Sequence, residues 1–325
     1  MDMKDLMNTS YTETPLNKTG ENVWCQLMTV AIKCEMLQKR NTIPVSAHVV
    51  SLLISILAII MNVVEIGLLL HKRKQTRTEV VLISLSMADI MVATCLSVTK
   101  LNHLGVIPSS GFIYILILTF FMILTSILHV VVITVERVVA VMYPFWHKAY
   151  VTRRKIAIAL CIIWLQLVLG YSTELVLIKV YRVPLNKLML GTMKFISALF
   201  FTMALFVITA YTLIVLRFKC SLNSKQNQDQ AMRRSKERRL VITSCSISGV
   251  YIICHLPYTV AIWYSFVWVF KLQICISLSA LMNSLVYFFL FKCMETASME
   301  SRDNSRAETK QESTSGYSRV ELHVI

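Results

Sequence analysis

The chain has 325 residues, 56% of them apolar and only 16% charged, with a formal net charge of +15. An average soluble domain carries roughly 25% charged residues, so a water-soluble domain is excluded. The basic excess lies between long apolar runs, where anionic lipid faces it, and the Arg233 to Arg239 run does not imply nucleic acid.

The first 42 residues are polar, lack a cleavable signal-peptide pattern and carry two glycosylation sequons, at Asn8 and Asn17. Apolar spans follow at 43–70, 80–103, 111–143, 154–178, 190–216, 240–268 and 272–291. Each approaches or exceeds the ~20 residues that cross a bilayer's hydrocarbon. Lipid offers no partner to an open backbone amide, so each span is predicted to be helical. The ten-residue alternation of a membrane β-barrel does not occur. The fold class is therefore all-α: a seven-helix transmembrane bundle over 43–294. The remainder, 295–325, is rich in Ser, Thr and charge and reads as a disordered tail.

Basic residues fix the expected orientation, because short cytoplasmic loops retain Lys and Arg. Arg137, the loops after spans one, three and five, and the final tail hold 22 of them, against 11 on the other side. The N-terminus is expected outside and the C-terminus in the cytosol of a multi-pass plasma-membrane protein. Of nine cysteines, only Cys25, Cys34 and Cys275 lie near the outer face. One bridge among these three and three free thiols are both open.

Ionisable groups inside a membrane span mark functional sites. Asp89 is the one formal charge near the middle of span two, among small residues that allow close helix packing. Asn62, Ser126, Ser279 and Asn283 are lone polar residues in spans one, three and seven. Asp89 ringed by such oxygens suits a small hard cation, here sodium; a plain interhelical hydrogen bond is the competing reading. Glu136-Arg137 closes span three, and Glu237 opens span six, so Arg137 can bridge both acids. Pro257 removes a backbone hydrogen bond and kinks span six. It stands 20 residues beyond Glu237, or about 30 Å at ~1.5 Å per residue. A kinked rod tethered at its far end is a two-state lever.

These residues resemble the rhodopsin-like (class A) G-protein-coupled receptors over about 43–295. Asn62 matches the family's span-one Asn, Leu85-Ser86-Met87-Ala88-Asp89 its Leu-x-x-Ala-Asp, and Glu136-Arg137-Val138 its Asp/Glu-Arg-Tyr. Trp164 matches the span-four Trp and Tyr211 the span-five Tyr. Cys254-His255-Leu256-Pro257 matches Cys-Trp-x-Pro, and Asn283-Ser284-Leu285-Val286-Tyr287 matches Asn-Pro-x-x-Tyr. The resemblance implies a sodium pocket of Asp89, Ser126, Ser279 and Asn283, with no other cofactor. It also implies that Arg137, freed from Glu237, contacts a heterotrimeric G protein, that Tyr211 and Tyr287 rearrange, and that Pro144 and Phe145 seat against the G protein. Arrestin-like partners would read phosphorylation at Ser301, Ser305, Thr309, Ser313, Thr314 or Ser315, and Cys293 is placed for palmitoylation.

The departures are specific. Phe112 stands where the family has its span-three Cys, Met203 where it has the span-five Pro, His255 for the span-six Trp and Ser284 for the span-seven Pro. His255 and Pro257 are the expected switch residues. His titrates near neutral pH, so proton sensing is one reading of His255; a buried neutral ring donating one hydrogen bond is the other. A retinal-type Lys is absent, since Ser277 holds that position, and Thr119 replaces the Asp of amine receptors. Peptide, lipid and small acidic ligands remain, with Thr119, His255 and Lys194 as pocket candidates. Lys179, Arg182, Lys187 and Lys194 form a basic outer rim that steers anions or is ordinary solvated charge.

A transporter or channel is the alternative, but no repeat and no interior breaker except Pro257 supports it. An intramembrane enzyme needs a ligand or nucleophile constellation, and Glu65, His129, Glu174 and His255 show no such spacing. Glu65 and Glu174 read as span-end residues and His129 as a bundle-interior one.

Overall fold

The computed structural model describes residues 44–72, 75–107, 112–183, 185–221, 228–264 and 272–289. Two compact units divide the chain, Met1–Val45 and Ser46–Ile325, and the bundle lies in the second. Asn8, Asn17, Cys25, Cys34, Cys293, the proposed phosphorylation sites and the side chains of Lys187 and Glu237 lie outside the described residues.

Seven helices are long and apolar enough to cross a membrane among the described residues. They are α1 (Val45–His71), α2 (Arg77–His103), α3 (Phe112–Met142), α5 (Arg153–Lys179), α6 (Leu185–Ser221), α7 (Gln228–Tyr264) and α8 (Leu272–Phe289). A short helix, α4 (Pro144–Tyr150), joins α3 to α5. The expected spans are found in order, and two helices overrun them: α6 begins five residues before 190 and α7 twelve before 240. The α7 extension is polar and the α6 one mixed, and both continue the helix past the apolar run, which hydropathy alone does not register.

Local chemistry sets the helix ends. Thr76 caps α2 through the Glu79 amide while the Glu79 side chain returns to the Thr76 amide, a reciprocal capping box. Thr152 caps α5 through the Lys155 amide, and Pro144 opens α4, where its missing N–H costs nothing. Beyond α2, Gly105 takes φ 79°, a left-handed turn without the Cβ penalty.

The distribution of side chains is that of a protein in hydrocarbon. Leu53, Ile60, Val63, Ile158, Ile162, Leu165 and Leu205 are exposed, whereas Asn62, Thr99, Thr125, Ser197 and Ser277 are fully buried. Lipid solvates the apolar faces, and the polar groups find their partners only inside the bundle. α3 is the central helix: 72% of its most apolar stretch is buried, against 22% for α5 and 28% for α1. α3 packs against α2, α5, α6 and α7.

Two contacts fix the neighbours of α3. Gly170 of α5 lies so close to the Phe121 ring that an added Cβ would strike it. Trp164 Nε1 of α5 donates to Ser84 Oγ of α2 at 3.0 Å, and Ser84 donates to His129 Nε2 of α3 at 2.7 Å. His129 Nδ1 then donates to the Thr125 carbonyl at 2.8 Å, which fixes the tautomer and completes a chain across three helices. α1 joins α8 through Asn62, whose Nδ2 donates to the Ala280 carbonyl at 3.0 Å, and through Ser55 and Ser277, whose hydroxyls meet at 2.9 Å.

Burial adds to two of the sequence readings. Glu65 lies near the end of its span, and it is 5% exposed, turned inward beside Ser86 and Ser284 on the side of Asp89. Glu174 is likewise buried and accepts a hydrogen bond from Thr192 of α6. In both cases the helix face that looks inward, not the distance from the span end, decides burial.

Replacing Gly170 with Leu is expected to lower stability by about 1–3 kcal/mol, the cost of overpacking a filled contact. Gly67, with open space around it, should accept Leu without a shift in the thermal unfolding midpoint of the detergent-solubilised protein. Ser84→Ala leaves a buried indole N–H and a buried imidazole nitrogen without their partner. The same measurement should show a loss of about 1–3 kcal/mol.

Candidate functional site

The polar residues of the bundle interior gather in two places along α3. The first is at mid-depth. Asp89, 3% exposed, faces α3 and α8: Ser126 Oγ donates to its Oδ1 at 3.3 Å, and Asn283 Nδ2 donates to its Oδ2 at 2.9 Å. Ser279 lies one turn from Asn283 and is buried, yet its Oγ has no hydrogen-bond partner, nor has Asn283 Oδ1. Two buried acceptors thus stand open beside a carboxylate. Burial of such groups without a partner costs about 1–3 kcal/mol each.

The second is the end of α3 that carries Arg137. Arg137 and Glu136 are both 6% exposed, so this is not a charged pair spread at an interface. Arg137 Nε donates to Glu136 Oε2 at 2.6 Å, and its Nη2 reaches the same oxygen and Thr78 Oγ1 of α2. Thr78 also donates to Glu136 Oε2 at 3.2 Å. The opposite carboxylate oxygen, Oε1, accepts from His147 Nε2 of α4 at 3.1 Å, and His147 Nδ1 accepts from Arg77 Nη1 at 3.3 Å. α2, α3 and α4 are pinned together by one carboxylate. His147 and Thr78 do not stand out in the sequence, because the part of His147 depends on where α4 folds back and that of Thr78 on how α2 packs against α3. The side chain of Glu237, the expected second partner of Arg137, lies outside the described residues.

Tyr211 of α6 is buried and meets Ser248 Oγ of α7 at 3.4 Å. Tyr287 of α8 is 6% exposed and packs in a core of Leu69, Val81, Leu82, Ile133 and Ile247. Phe145 is 89% exposed on α4, directly after Pro144. These residues flank the Arg137 end of the bundle.

Towards the other end, α7 contains Pro257 within an unbroken helix. His255, 3% exposed, donates from Nδ1 to the Tyr251 carbonyl at 3.0 Å. Its ring stacks 3.9 Å from the Tyr251 ring and 6.1 Å from that of Phe200 of α6. Tyr251 in turn donates to the Ile123 carbonyl of α3 at 3.2 Å. The position where the resembled family has Trp thus still anchors α7 to α6, and through Tyr251 to α3. The ligand-pocket candidates do not form one cluster. Thr119 is buried and turns its hydroxyl to the Ile115 carbonyl, while Lys194 is exposed and lies over the Trp263 ring at 5.7 Å. Cys275 is a free thiol.

No curated protein matches the chain in sequence. The sequence model of the 7 transmembrane receptor (rhodopsin family) matches residues 61–300, nearly three quarters of its length and every span but the first half of α1. With seven apolar helices in order and a buried Glu-Arg pair closing the third, the chain belongs to the rhodopsin family of seven-transmembrane receptors.

Proposed function

We propose that this receptor lies in the plasma membrane with its N-terminus outside, and converts binding of a peptide, lipid or small acidic ligand into activation of a heterotrimeric G protein. The observation that carries the reading is the buried pairing of Arg137 with Glu136 and Thr78. A guanidinium held inside the bundle by neighbours on two helices is stored rather than solvated. Moving α7 outward about Pro257 opens the space beneath α3, and the freed guanidinium then meets the G protein, beside exposed Phe145. Glu237 at the start of α7 is the second carboxylate that holds Arg137 in the resting state. Tyr211, bonded to Ser248 across α6 and α7, and Tyr287 follow that movement.

Asp89 supports an allosteric sodium ion in the same cycle. The carboxylate, Ser126 Oγ, and the unpartnered Ser279 Oγ and Asn283 Oδ1 make an all-oxygen donor set with a single negative charge, which suits a monovalent hard cation. Bound there, the ion would supply the positive charge that the buried carboxylate lacks, with Asp89, Ser126, Ser279 and Asn283 as the residues that would hold it. Glycosylation at Asn8 and Asn17 and arrestin-like recognition of the phosphorylated tail complete the reading.

Glu237→Ala and Thr78→Val each remove one restraint on Arg137 and are expected to raise agonist-free G-protein dissociation and cAMP or calcium output severalfold at equal surface expression. Arg137→Ala should abolish it. Wild-type basal output in both of the first two variants would refute the stored-guanidinium mechanism. Separately, sodium should stabilise the solubilised receptor by ~2.7 kcal/mol at about 100 times the dissociation constant, seen as a rise in its unfolding midpoint that potassium does not produce. In Asp89→Asn the two salts should act alike.

A further inference from the structure

Lys100 sits in α2, three residues from the helix end, and is 3% exposed. Its ammonium carries three N–H donors. One of them donates to Gln273 Oε1 of α8 at 2.6 Å, a neutral amide oxygen that is itself 2% exposed. The other two find no acceptor among the described residues, and no carboxylate accompanies them.

The surroundings are those of a built site. Ser55 of α1 meets Ser277 of α8, and one helical turn further out on the same two faces stand Ser51 and Gln273, four residues earlier on each helix. Ser51 is 2% exposed, and its hydroxyl has no hydrogen-bond partner. Above this level, His48 of α1 stacks on His103 of α2 with ring centroids 5.1 Å apart, and His103 meets the Phe112 ring edge-on at 5.6 Å. Three helices thus contribute an ammonium, an amide, a hydroxyl and two imidazoles to this end of the bundle.

A buried cation faced only by a neutral group is strongly disfavoured in a membrane bundle and marks a binding position. The described carboxylates are committed elsewhere. Asp89 lies eleven residues deeper on α2, about 16 Å at ~1.5 Å per residue, and is bonded to Ser126 and Asn283. Glu65 and Glu136 lie still further towards the Arg137 end, Glu79 pairs with Lys72, and Glu174 bonds Thr192 across α5 and α6.

We infer that Lys100, with Gln273, Ser51 and the His48–His103 pair, forms a subsite between α1, α2 and α8 for an anionic group, a carboxylate or a phosphate. This deepens the proposed receptor reading by assigning one end of its ligand a negative charge, and it rests on that reading only for the statement that the site faces outward. Such an anion is supplied by a small acidic ligand.

The test uses the full-length receptor in non-ionic detergent, its thermal midpoint followed against hexanoate, inorganic phosphate and hexanamide, the neutral amide of the same length. Hexanoate and phosphate should raise the midpoint saturably and hexanamide should not. Lys100→Arg should keep the effect and Lys100→Gln should lose it, while the anion-free midpoint of Lys100→Gln stays at or above that of the wild type because an uncompensated charge has gone. Equal responses to hexanoate and hexanamide, or an unchanged response in Lys100→Gln, overturn the subsite. Because the readout needs no G protein, it is independent of the coupling experiments above.

Discussion

Hydrocarbon offers no hydrogen bond, so every polar group of this bundle has to be satisfied from within it, and that constraint organises the rest of the structure. Apolar side chains turn outward because lipid solvates them as well as a core would. The helices are then held together by a small number of directed contacts: Ser84 with His129 and Trp164, Asn62 with the Ala280 carbonyl, Asp89 with Ser126 and Asn283, and Arg137 with Glu136 and Thr78. α3 takes part in three of these four, which is why it is the most buried helix. A receptor assembled this way has few fixed joints, and a change in one of them is felt along a whole helix.

The joints differ in what they can release. The Ser84 chain ends in a neutral imidazole with both nitrogens used; nothing in it invites rearrangement. The Arg137 cluster is different, because a charge leaving it needs only another partner outside the bundle, and exposed Phe145 and the helical start of α7 lie at that end. Between the two, Asp89 has neighbours with open acceptors, so its preferred state depends on what occupies the space beside it. Charge, rather than packing, separates the parts of this bundle that move from those that hold.

Departures from the family's residues are absorbed by neighbours. Where the family places Trp on the sixth span, His255 stacks between Tyr251 and Phe200, and Tyr251 reaches the α3 backbone, so the link between helices survives with different atoms. Ser284, in place of the span-seven Pro, adds a hydroxyl to the interior, and Glu65 from α1 lies beside it. Without that Pro, α8 runs without interruption from Leu272 to Phe289.

Seven apolar runs, their lengths and their order are one-dimensional facts, and the hydrocarbon thickness converts them directly into seven helices. Asp89, Arg137 and Pro257 stood out in the same way, because a charge or a proline within an apolar run is conspicuous without knowing its neighbours. What surrounds each was not readable there. Glu65 and Glu174 looked like span-end acids, and the helix rotations turn them inward; Thr78 becomes a partner of Glu136 through the packing of α2 on α3, and His147 through the fold-back of α4. Nothing in the sequence marks Lys100 and Gln273 as partners. Hydropathy measures how deep a residue lies along the helix axis; the azimuth that brings residues 173 positions apart to 2.6 Å is set by helix packing, and only the tertiary structure decides it.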